Sequence, residues 1–152
     1  MGRVLTPAEA LALVPQQEPF RFVDEIVELS AERAVGRYRW RPSADFYRGH
    51  FPGNPVTPGV LLVESMAQCG VVPIALFLFY RDLEAAEAEK FQTLFTDTQV
   101  DFSGVVRPGD LVQTESRVVF YRRRKLRVEA TMSSEDGKIV CSGQLSGMGV
   151  PR

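Results

Sequence analysis

The sequence predicts an α+β domain in which one long, nearly uncharged helix packs against an antiparallel sheet of about six strands. Three observations carry that expectation. Residues 60–80, VLLVESMAQCGVVPIALFLFY, hold a single charge. The segments 22–29, 33–40, 93–102, 111–121, 125–133 and 138–147 are rich in β-branched and aromatic residues and are separated by turn residues. A chain of 152 residues fits one domain, 1–152, and can bury an ordinary core without staples. An apolar helix and a sheet with one apolar face then cover each other.

The elements follow in order. Thr6, Pro7 and Glu9 supply an N-cap, a proline at the first helical position and the acid of a capping box, which predicts a short helix over 7–14. Residues 22–29 and 33–40 form a hairpin across the polar turn Ser30-Ala31-Glu32, with alternation clearest from Ala34 to Trp40. The stiff loop GHFPGNPVTPG at 49–59 leads into the apolar helix. Pro73 removes one backbone donor there and predicts a bend. RDLEAAEAEK closes that helix or forms a second short one. The remaining four strands read as a meander, with a type II turn at Arg107-Pro108-Gly109-Asp110 and a tight hairpin at Asp136-Gly137.

Composition excludes several classes. A net charge of −1, with neither a zinc-finger pattern nor a phosphate-binding glycine loop, argues against a nucleic-acid partner. Cys69 and Cys141 are far apart and outside any CxxC, so they read as reduced thiols in a cytoplasmic protein. The N-terminal residues lack the pattern of a secretory signal. In the apolar segment, Glu64, Gln68 and Pro73 leave only 69–80 uninterrupted, short of the ~20 residues that a bilayer requires, so the segment reads as a buried helix rather than a transmembrane one.

Two residues stand out chemically. His50 is the only histidine in the chain. Glu64 lies in the first turns of an apolar helix, where an ionised carboxylate pays a large desolvation cost unless it is paired or protonated. Val60, Glu64 and Gln68 share one helical face. Gly59 and Val60, at the helix start, present free backbone N–H groups, and Gly59 lets an oxygen approach closely. A histidine base, a protonated carboxyl and a pair of helix-end donors meet the needs of proton abstraction beside a carbonyl with loss of water. A hydrogen bond across an interface is the structural alternative for Glu64.

The stretch GHFPGNPVTPGVLLVESMAQ resembles the signature of the beta-hydroxyacyl-acyl-carrier-protein dehydratases of fatty acid synthesis, the FabZ/FabA type. The likeness extends to Pro19-Phe20 and Val23-Asp24 upstream and to residues 107–110 and 136–137 downstream. It implies a hot-dog fold, a long central helix wrapped by a curved antiparallel sheet, in a homodimer or trimer of dimers with each site at a dimer interface. It further implies a catalytic pair of His50 and Glu64, a Gly59 N–H on the thioester oxygen, a Val56 carbonyl orienting the histidine, and Gln68 binding the carboxyl or lining the site. The substrate would ride on the phosphopantetheine arm of acyl carrier protein, with no metal or other cofactor required. Glu64 matches the branch that only dehydrates, whereas residues 102–106 and 142–145 look more like the branch that also isomerises. A hot-dog thioesterase and a non-catalytic acyl-binding module are the competing classes. The basic run Arg122-Arg123-Arg124-Lys125 would suit an acidic carrier.

Overall fold

A computed structural model describes residues 2–152. Helix α1 covers Pro7–Leu13, and its capping box is complete: the Thr6 hydroxyl accepts from the Glu9 N–H, while the Glu9 carboxylate accepts from the Thr6 N–H. Six strands follow: β1 (Glu25–Leu29), β2 (Arg33–Arg39), β3 (Phe91–Phe102), β4 (Leu111–Arg122), β5 (Lys125–Ser134) and β6 (Ile139–Pro151). They form one antiparallel sheet in the order β1-β2-β4-β5-β6-β3.

That order departs from the expected meander. β4, β5 and β6 do follow one another through tight turns, but β3 pairs with β6 instead of its sequence neighbour β4, and so closes the far side of the sheet. The first strand also starts later than its composition predicts. The Phe22 N–H donates to Gln68 Oε1 at 2.6 Å and the Phe22 carbonyl accepts from Ser65 Oγ at 2.8 Å, so helix side chains take the backbone groups that a strand would have used. Both predicted turns are present, with Gly109 and Gly137 at positive φ (91° and 83°), where a side chain would be strained. At the β4–β5 hairpin, Arg123 and Arg124 adopt left-handed φ of 49° and 61°.

The central helix spans Gly59–Asp82. By length and apolarity it could cross a membrane, yet 72% of its most apolar 18-residue window is buried inside the protein, in keeping with a core helix. It is not uniform. Residues Ala67–Val71 form a π turn, with the Val72 N–H reaching Ala67 O, before regular helix resumes. Pro73 follows immediately. It has no N–H to give, and in a regular α-helix its ring would press on the carbonyl four residues back; the wide turn absorbs the irregularity that the sequence predicted as a bend. At this turn the helix backbone lies almost on the sheet. A Cβ on Gly70 would fall 2.1 Å from Ser116 Oγ, and one on Gly36 would fall 2.6 Å from Cys69 Cβ, so only glycine fits at either point. The sheet's other face carries charges in pairs, including Arg33–Glu115 (3.3 Å) and Arg127–Asp97 (3.2 Å).

Candidate active site

His50 sits at the head of the loop between a 3-10 turn (Asp45–Arg48) and the central helix. Its N–H donates to Phe46 O (3.0 Å) and its carbonyl accepts from the Val56 N–H (2.9 Å), folding the loop back on itself. The imidazole Nδ1 lies 2.8 Å from the Val56 carbonyl. A carbonyl can only accept, so Nδ1 carries a proton, and in the neutral ring the lone pair is on Nε2. Phe51 stacks on the ring at 4.1 Å between centroids. The ring is therefore held in one orientation and one tautomer by groups the loop itself supplies.

Glu64 is held by a different device. Gln68 is wholly buried, and its amide orientation is dictated by two backbone groups: Oε1 accepts from the Phe22 N–H, and Nε2 donates to the Phe20 carbonyl (3.0 Å). The second Nε2 proton then has one place to go, Glu64 Oε1, at 2.9 Å. With both amide protons and the carbonyl engaged, Gln68 binds the carboxyl and has no donor left over for a substrate. Burial pushes the Glu64 carboxyl above the ordinary range, and the Gln68 donor only partly opposes that. Because Oε1 accepts from Gln68, Oε2 is the atom free to carry and deliver a proton.

The third group is the helix start. Gly59 and Val60 open the central helix, and among the described residues neither N–H has an acceptor within the chain. Val60 is 77% exposed. The Phe102 ring rests against Gly59, 3.1 Å from where a Cβ would lie, so a larger residue would have to displace it. Sequence reasoning missed three neighbours: Phe102, Ser65 and the buried Tyr47–Thr57 hydroxyl pair, which meets at 2.6 Å. Their signal is tertiary, since each acts on a residue remote in sequence or across a loop.

Among the described residues no hydrogen bond or ion pair joins His50 to Glu64 within one chain. The open grooves of about 410 and 480 Å³, one lined by Ser103, Asp110 and Ile139 and the other by Pro42, Arg48 and Pro55, include neither residue. Within the single chain, the imidazole and the carboxyl are thus held by separate sets of partners.

A family profile described as a FabA-like domain matches residues 14–144. The chain is 38% identical over 138 residues to the 3-hydroxyacyl-[acyl-carrier-protein] dehydratase FabZ of Caldicellulosiruptor saccharolyticus, covering 89% of this chain and 91% of the relative. It is 35% identical to FabZ of Levilactobacillus brevis, covering 94% and 92%. Among solved structures, the dehydratase heterocomplex ApeI:P of Xenorhabdus doucetiae superposes with a TM-score of 0.71 at 12% identity over 97% of this chain and 93% of that one. A thioesterase from Haemophilus influenzae gives 0.69 at 15% identity over 99% and 94%. At such identities the structural likeness establishes the fold, the hot-dog arrangement of helix and sheet.

Proposed function

The chain belongs to the FabA-like family, and from that premise we propose that it is a hydro-lyase converting (3R)-hydroxyacyl-acyl carrier protein to the trans-2-enoyl thioester in fatty acid biosynthesis. The observation that carries the mechanism is the bond from His50 to the Val56 carbonyl, because it fixes Nε2 as a proton acceptor. In the reaction, Nε2 removes a proton from the carbon next to the thioester carbonyl. The electron pair left behind forms the new double bond as the bond to the β-hydroxyl breaks. Glu64 Oε2 protonates that hydroxyl, which departs as water. A proton returned from His50 to Glu64, directly or through water, resets the site. The Gly59 and Val60 N–H groups stabilise the negative charge that develops on the thioester oxygen. Burial helps here, since it raises the pKa of Glu64 and so favours the protonated form that a general acid uses. The chemistry is redox-neutral proton transfer, for which no metal or further cofactor is needed.

The working unit is a homodimer, itself able to build a trimer of dimers. The lack of any bond between His50 and Glu64 among the described residues of one chain supports this, as does the exposed edge of β3, where Leu94 and Phe102 are each 50% exposed. Two β3 edges running antiparallel about a two-fold axis would set His50 of each copy opposite Glu64 of the other. Acyl carrier protein is the substrate carrier. The Arg122–Lys125 hairpin projects beside Phe91, whose ring Arg124 covers at 4.5 Å, at the opposite end of β3 from Phe102. Antiparallel pairing would bring that hairpin to the partner copy's site, where it would attract an acidic carrier. Reversing these charges should raise KM for carrier-bound substrate and spare a small thioester surrogate; equal effects on both would remove the docking role. A cytoplasmic setting suits the chain's two cysteines, which are both free thiols.

The test incubates the protein with β-hydroxyacyl-acyl carrier proteins of several chain lengths, alongside His50→Ala and Glu64→Ala, and follows enoyl product by mass and ultraviolet absorbance. Wild-type turnover with severe loss in both variants supports the reading. Free thiol in place of enoyl thioester would mean hydrolysis, and no turnover at any chain length would leave an acyl-binding role.

A further inference from the structure

The loop that carries His50 has two arms, and one buried side-chain bond joins them. Tyr47 lies three residues before His50, in the 3-10 turn; Thr57 lies one residue after Val56, whose carbonyl holds the imidazole. Tyr47 is 6% and Thr57 3% exposed, and their hydroxyls meet at 2.6 Å. Residues 51–54 between the arms are exposed. Besides the imidazole's own bond to the Val56 carbonyl, the other ties are backbone bonds and exposed contacts from Arg107 to Asn54 at 3.3 Å and to the Pro55 carbonyl at 3.5 Å. The Thr57 N–H donates to Val106 O at 2.8 Å, so the second arm is also fixed to the body of the protein.

Two buried hydroxyls are costly unless they satisfy each other, and an apolar pair of the same shape would fill the space without that risk. What the polar pair adds is direction: a short bond between specific atoms sets the spacing of the arms, which packing alone leaves looser. Burial pushes the Tyr47 phenol above its usual range, so it stays neutral and able to donate at any working pH.

We propose that the Tyr47–Thr57 pair is a positioning element for His50, fixing the Val56 carbonyl against Nδ1 and thereby the aim of Nε2. This rests on His50 being the catalytic base. The pair touches no substrate, so its loss should appear in kcat and leave KM unchanged.

Because His50 is the only histidine, its ring signals can be assigned without ambiguity by NMR of 15N-histidine-labelled protein, independently of activity. In Tyr47→Phe and in Thr57→Val, kcat should fall about tenfold with KM little changed, the scale expected when a reacting group is slightly misaimed. The Nδ1–H signal should broaden in the same variants. The double variant should lose no more than either single one, and Thr57→Ser, which keeps the hydroxyl, should recover most of the kcat lost in Thr57→Val. Unchanged kcat in Tyr47→Phe, or a fall in kcat with unaltered His50 ring signals, would overturn the proposal. Wild-type protein that dehydrates nothing but shows the Tyr47-dependent ring signals would instead remove the dehydratase reading and leave the positioning of His50 standing.

Discussion

The two edges of the sheet are built on opposite principles. β1 is five residues long, breaks register between Ile26 and Glu28, and carries exposed Glu25 and Glu28, the latter paired with Arg33. Helix α1 packs against it. Short length, a bulge and charge are the usual means by which an edge resists pairing. β3 at the other side also breaks register, between Phe95 and Asp97, and carries exposed Asp97 and Asp101, but it is twelve residues long and exposes Leu94, Phe95 and Phe102. An edge of that length with apolar side chains outward is a template for another strand. One edge is finished within the chain; the other is left open, and in the proposed dimer a second copy would cover it.

The largest expected effect comes from spoiling the open edge. The double change Leu94→Lys and Phe95→Lys should give a monomer by sedimentation and lower kcat by at least about 100-fold, since base and acid would no longer meet. A monomer that still turns over would break the comparison. Next, mixed dimers sharpen it. His50→Ala and Glu64→Gln subunits, each inactive alone, should on random reassociation recover about a quarter of wild-type activity, because half the dimers are mixed and each has one intact site. No recovery would place both groups of each site in a single chain.

Gln68→Leu should destabilise the chain by about 3 kcal/mol in denaturant unfolding, because it strips partners from Phe20, Phe22 and Glu64 at once. Glu64→Gln reports on the carboxyl separately. Burial raises its folded pKa above 4.5, so the folded chain holds the proton more tightly than the unfolded one. That contribution to stability is complete at low pH and is lost as pH rises through the raised pKa. Stability measured from acid to neutral pH should therefore decline less in Glu64→Gln than in wild type. The smallest effect belongs to the finished edge: Glu28→Lys should change stability by no more than about 1 kcal/mol and leave the oligomeric state as it was.

The sequence by itself determined what depends on neighbours within a turn or two. The capping box of Thr6 and Glu9, the glycines at 109 and 137, and the Glu64–Gln68 contact four residues apart on one helical face all follow from short-range geometry. The link from His50 to the carbonyl of Val56 came instead from the family signature, not from local geometry. Tertiary structure alone decided where β3 goes, since strand order depends on pairings between residues dozens of positions apart, and β-rich composition says nothing about partners. It also decided that Phe22 leaves the sheet to bind Gln68, and that Pro73 is met by a π turn. The Tyr47–Thr57 bond had no local signal, because it forms only when the loop closes and buries both hydroxyls, leaving each with the other as its partner.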